Sequence, residues 1–181
     1  SNMDSTNLCL TREPGGTIEA ESIRALLLNG AASKWQPATE AMMMSASRHE
    51  HVIHVIKPAL ARDDIVICDR FSDSTHVYQG YVGGVDSALL DGLDQLSCQG
   101  IVPDLTLLLD IDSNAGLART RQRGSAVIRF ESKCAEINKK VRHGFVERAE
   151  KSPNRIATID AARPADIVTM DVIAAVRALL V

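Results

Sequence analysis

Ile65-Val66-Ile67-Cys68 is a short apolar run rich in β-branched residues, the pattern of a strand covered on both faces. Three more runs of this kind, at Asn7–Leu10, Leu105–Ile111 and Asn154–Ile159, are separated by stretches with helical spacing. Strands alternating with helices imply an α/β fold, a parallel sheet with helices on both faces. In such sheets ligands bind beyond the carboxyl ends of the strands. The 65–68 run ends there in Asp69-Arg70, an acid beside a base. The pair suits a site that holds a metal ion and phosphate together, and it also suits a surface ion pair closing a strand.

The stretch that follows favours the first of these. Ser74, Thr75, Tyr78 and Gln79 are hydrogen-bonding side chains whose spacing predicts one side of a helix starting near Asp73. A phosphate grip followed by a polar and aromatic wall is the outline of a nucleotide pocket. Gly80 and the pair Gly83-Gly84 are expected to break this helix before a longer one at Asp86–Cys98.

Thr11-Arg12-Glu13-Pro14-Gly15-Gly16-Thr17 forms the loop after the first strand, where two glycines allow positive φ and close approach by a ligand. Thr17 caps a helix that Asn29-Gly30 closes. Taken alone, the loop reads as an ordinary turn; beside the other motifs it reads as a phosphate-side loop carrying Arg12. A long helix runs from Pro37 to about Ala61, with Pro58 as a possible kink. On it Met42, Met43 and Met44 read as core packing, and Arg48 lies one turn beyond Met44, so both can face one cleft. Asp112-Ser113 reads as a helix cap. Arg119, Arg121 and Arg123 recur at every second residue before Gly124, and a run of like charges is usually a solvated face. Helices are expected at Ser132–Lys151 and Pro164–Leu180.

Composition excludes several classes. A chain of 181 residues, 45% hydrophobic with a net charge of −3, has neither the basic balance of a nucleic-acid binder nor an apolar run near the ~20 residues a membrane helix needs. Cys9, Cys68, Cys98 and Cys134 show no C-x-x-C spacing and read as reduced cysteines of a cytoplasmic protein. His49, His51 and His54 do not form H-E-x-x-H and are expected to face solvent.

DRFSDSTHVYQGY resembles the DR-x-x-x-S-x-x-A-Y-Q-G signature of bacterial thymidylate kinases, with Val77 at the alanine position. TREPGGT at Thr11–Thr17 and SASRHEH around Arg48 are similar to two further motifs of that family, in the same order. The resemblance runs from about Leu8 to the C-terminus. It implies the P-loop kinase architecture in a single domain over 1–181, with a lid at about 119–131. It also implies transfer of the ATP γ-phosphoryl to dTMP, giving dTDP for dTTP synthesis, with Mg²⁺ and in a homodimer.

The roles implied by the resemblance follow residue by residue. Arg70 bridges the donor and acceptor phosphates, and Asp69 orients Mg²⁺ or its water. Arg12 and Arg48 hold the acceptor nucleotide. Met44 stands where an aromatic residue stacks on the base in relatives. Ser74, Thr75 and Gln79 face the base, and Tyr78 stands under the sugar. Arg123 or Arg129 closes the lid on ATP, although the aspartate common before the lid arginine is Ile128 here. No G-x-x-x-x-G-K-[ST] occurs in the sequence, so the first strand and P-loop are expected to be missing from the sheet. Little or no ATP turnover is then expected. The rival readings are a non-catalytic nucleotide-binding remnant and another deoxynucleotide kinase.

Overall fold

The computed structural model describes residues 7–31, 34–116 and 135–180. The chain divides into two compact units, Ser1–Ile101 and Val102–Val181.

In the first unit β1 (Leu8–Arg12) pairs in parallel with β2 (Ile65–Asp69), Leu8 opposite Ile65 and Arg12 opposite Asp69. Parallel neighbours need a long crossover. Here it is helical: α1 (Ile18–Leu28), α2 (Pro37–His51), a π turn at Val52–Ile56 and α3 (Lys57–Leu60). Thr17 caps α1 as expected, its Oγ1 accepting from Ala20 N at 3.0 Å. The π turn sits directly ahead of Pro58, and the Lys57 N–H reaches back five residues to the Val52 carbonyl. Pro58 has no N–H to offer the His54 carbonyl, so the helix widens where a kink was expected.

After β2 come α4 (Ser72–Thr75), a π stretch at His76–Val82 and α5 (Ser87–Cys98), capped by Asp86 through Ala88 N at 2.8 Å. The helix therefore continues through Gly80, contrary to the expected break. Gly80 takes part in the wide turn, and the chain leaves the helix only at Gly83 and Gly84. The core of this unit is Val52, Ile56, Phe71 and Cys98, with Val66 and Ile101 packed on it. Around it α1 packs on α2, and α2 on α5. Met42 is 50% exposed, so the expectation of a core role fails there, while Met43 and Met44 are half-buried.

In the second unit β3 (Thr106–Asp110) pairs in parallel with β4 (Ile156–Asp160). Between them lie α6, described over 113–116, and α7 (Ala135–Lys151); α8 (Ala165–Leu179) follows β4. Asp112 Oδ1 accepts from Asn114 N at 2.9 Å, the expected cap. Arg142 of α7 grips Asp110 with two hydrogen bonds, 2.6 and 2.7 Å, which hold that carboxyl below the usual carboxylate range. Strands that pair in parallel through helical crossovers make the chain α/β, as expected. Among the described residues no helix is long and apolar enough to cross a membrane.

Candidate active site

The carboxyl ends of β1 and β2 finish level, and one further bond, Glu13 N to Asp69 O at 2.9 Å, carries the ladder into the loop. This delivers Arg12, Glu13, Asp69 and Arg70 to one edge. Arg70 has φ of 68°, a left-handed conformation that costs a non-glycine residue roughly 1–2 kcal/mol. The Cys68 thiol donates to the Arg70 carbonyl at 3.0 Å and helps hold this turn. Burial, with the Glu13 and Asp69 carboxylates nearby, pushes the Cys68 thiol well above its ordinary value. Burial and then Asp94 raise Cys98 to about 11. Both sulfurs stay protonated near neutral pH, which removes them as nucleophiles. The Arg70 guanidinium lies over the Tyr78 ring, 5.5 Å from its centroid.

Behind this edge sits a buried polar network centred on Arg48, which is 2% exposed. Its Nε donates to Glu13 Oε2 at 2.8 Å and its Nη2 to Thr75 Oγ1 at 3.0 Å. Its Nη1 lies 3.5 Å from Asp94 Oδ1 and has no hydrogen-bond partner among the described residues. The Phe71 ring stacks beneath, 5.3 Å from centroid to guanidinium. Glu13 uses its other oxygen for His51 Nδ1 at 3.1 Å, and His51 Nε2 meets Thr11 Oγ1 at 2.6 Å. His51 is thus wholly buried, correcting the expectation that it faces solvent with His49 and His54. Helical periodicity had no means of showing that a glutamate 38 residues earlier would receive it.

His51 also explains one of the two loop glycines. Gly16 has φ of +95°, and a Cβ there would fall 2.4 Å from His51 Cδ2. Only a residue without a side chain lets the loop close on the imidazole.

The residues singled out in the sequence are distributed as follows. Arg48 and Thr75 are joined directly, and Met44 stands half-buried one turn before Arg48. Ser74 and Tyr78 are half-buried, whereas Thr75 and Gln79 are buried. Gln79 Nε2 donates to Glu40 Oε2 at 3.1 Å. The wall winds partly as a π helix, so the simple α-helical spacing assumed for these four side chains does not describe it. Arg12 is exposed and pairs with Glu21 at 2.8 Å, and Asp69 is exposed at the strand end. Arg123 and Arg129 lie outside the described residues. Sequence reasoning missed Glu13, His51, Phe71, His76 and Asp94, all of which close on the same guanidinium or on its partners. Glu13, His51, Phe71 and His76 all stand inside the three quoted motifs, and only Asp94 lies outside them.

Among the described residues no three His, Cys, Asp or Glu side chains gather as a cation site. The chemistry available here is that of fixed guanidinium charge beside one exposed carboxylate, suited to an anionic ligand.

The comparisons agree with this geometry. The family model for thymidylate kinase matches residues 2–172. The chain is similar to the thymidylate kinase of Caulobacter vibrioides, 46% identical over 163 residues that span 90% of this chain and 78% of the relative. It is similar also to that of Trichlorobacter lovleyi, 43% identical over 87% of this chain and 77% of the relative. Among solved structures, the crystal structure of thymidylate kinase from Ehrlichia chaffeensis superposes with a TM-score of 0.75 at 35% identity, covering 94% of this chain and 81% of that one. A charged edge at the strand ends, a buried arginine behind it and relatives of this closeness converge on one conclusion: the chain belongs to the thymidylate kinase family, whose members are phosphotransferases.

Proposed function

We propose that this chain takes dTMP at the carboxyl ends of β1 and β2 and receives there the γ-phosphoryl of ATP, giving dTDP. The observation that carries the reading is Arg48 Nη1, a buried cationic donor without a hydrogen-bond partner among the described residues. Leaving such a group unsatisfied costs about 1–3 kcal/mol or more, and a nucleotide oxygen would remove that cost.

Met44 covers the pyrimidine through its thioether, less rigidly than an aromatic ring would. Thr75 fixes the plane of Arg48, Ser74 faces the base, and Gln79 braces the wall from behind through Glu40. Tyr78 stands under the sugar, where a 2′-OH would clash. Arg12 takes the acceptor phosphate, since its exposed pair with Glu21 is worth little and opens readily. The acceptor oxygen is already ionised near neutral pH, so the reaction needs no general base. What remains is positioning and charge neutralisation. Arg70 supplies the cation between the two phosphates, and Arg123 or Arg129 is assigned to the lid.

Mg²⁺ binds through one or two carboxylates together with substrate phosphates and water, so the single exposed Asp69 fits it. When bound, the ion would neutralise charge on the phosphates.

Isothermal titration with dTMP and UMP, on the wild type and on Arg48→Ala, tests the reading. The wild type should bind dTMP at least about tenfold more tightly than UMP, and Arg48→Ala should weaken dTMP binding roughly 10- to 100-fold while leaving it measurable. Equal binding of both nucleotides, binding of neither, or an unaffected Arg48→Ala refutes it.

A further inference from the structure

Two carboxylate–histidine pairs of the same form bracket Arg48. Glu13 gives one oxygen to Arg48 and the other to His51. Asp94, on α5, sets Oδ1 3.5 Å from Arg48 Nη1 and Oδ2 2.8 Å from His76 Nε2. The two pairs differ in setting. His51 is 0% exposed and is held by Thr11 on its far side. The His76 and Asp94 side chains are 12% and 22% exposed, and Asp91 stands 4.0 Å from the same imidazole.

We propose that Asp94, held in place by His76, is a positioning residue for Arg48 that sets how tightly the acceptor nucleotide binds. The inference rests on the reading of Arg48 as the acceptor contact. At 3.5 Å the Asp94 carboxylate attracts the guanidinium without taking up an N–H of Nη1. A few tenths of an ångström closer, with better alignment, it would become that nitrogen's hydrogen-bond partner and compete with the nucleotide. The hydrogen bond to His76 keeps Asp94 from closing that gap. The charge of Asp94 in turn balances Arg48 on the side away from Glu13, so the guanidinium plane is held from both edges.

The test is dTMP titration of the full chain in a small set of variants, each checked by its thermal midpoint. His76→Leu frees Asp94 to close on Nη1, and Asp94→Asn removes the balancing charge. Each should weaken dTMP binding about five- to tenfold. His76→Gln keeps a side-chain N–H for Asp94 and should bind within about twofold of the wild type. In an Arg48→Ala background, His76→Leu should have no further effect. Wild-type affinity in His76→Leu or Asp94→Asn overturns the proposal. So does a His76→Gln variant as weak as His76→Leu, or a His76→Leu effect that persists without Arg48. An Arg48→Ala variant that binds dTMP normally instead overturns the acceptor reading itself, and the two failures are told apart by that single variant.

Discussion

Replacing Glu13 with glutamine removes one charge from the deeply buried Glu13–Arg48 pair while nearly preserving its shape. Glu13 is 5% exposed and Arg48 2%, so solvent cannot compensate either of them. Deleting one partner of a buried pair typically costs ~3–5 kcal/mol, because the other charge is left stranded. Two features of this site lower that figure. Glutamine still offers Arg48 Nε a neutral acceptor, roughly half as strong as a charged one. Asp94, 3.5 Å from Nη1, keeps part of the compensation. The expected loss is therefore about 2–3 kcal/mol, a large share of the ~5–15 kcal/mol typical of a domain. Trp35 is the chain's single tryptophan and lies in the first unit, its Nε1 donating to the Leu26 carbonyl. Urea unfolding followed by Trp35 fluorescence thus reports on the unit that holds the pair. The midpoint should fall with the slope unchanged. Arg12→Ala breaks a pair whose side chains are 53% and 41% exposed and should cost less than about 1 kcal/mol. A Glu13→Gln loss no larger than that of Arg12→Ala would refute the reasoning, since burial would then not decide the worth of either pair.

Two further outcomes are expected. In a chain supplied with a G-x-x-x-x-G-K-[ST] loop, Arg70→Ala should lower turnover, followed as ADP release with dTMP, ATP and Mg²⁺, by ~10²–10³ while changing dTMP affinity far less. Near-normal turnover would leave Arg70 as no more than a cation resting on Tyr78. In the second unit, the hydrogen bonds from Arg142 depress the Asp110 carboxyl below its ordinary 3.8, so the stability they contribute is present above that value and is lost as pH falls through the folded one. Thermal unfolding of wild type and Arg142→Ala should show a gap that is constant near neutral pH and closes in acid. A gap that stays the same down to about pH 2 would contradict the assigned cause.

Much of the fold was legible because its signals are local. The four strands were marked by short apolar runs, the start of α1 by Thr17, and the start of α5 by Asp86. Arg48 could be named because it stands inside a motif. The partners of Arg48 were hidden for a physical reason. Glu13 and Thr75 reach it from 35 and 27 positions away, and no periodicity along one helix encodes a partner on another element. His51 looked like a surface residue because most polar residues on a helix are surface residues. Its burial follows from Glu13 and Thr11 meeting it on either side. The π winding was hidden too, since it depends on which carbonyl each N–H chooses and not on residue type alone.

That winding has a consequence for how the site tolerates change in length. Both π stretches begin immediately after a residue of the Arg48 network: Val52 after His51, and His76 after Thr75. Each wide turn closes its hydrogen bonds over one more residue than an α turn does. A single-residue deletion inside 77–82 can therefore be absorbed by tightening to α winding, leaving His76 and everything before it in register. Tyr78 and Gln79 would pay for it, swinging by about 100° around the helix axis. The slack lies downstream of the buried cation, so the wall of the pocket can be redrawn by one codon while the arginine behind it stays fixed.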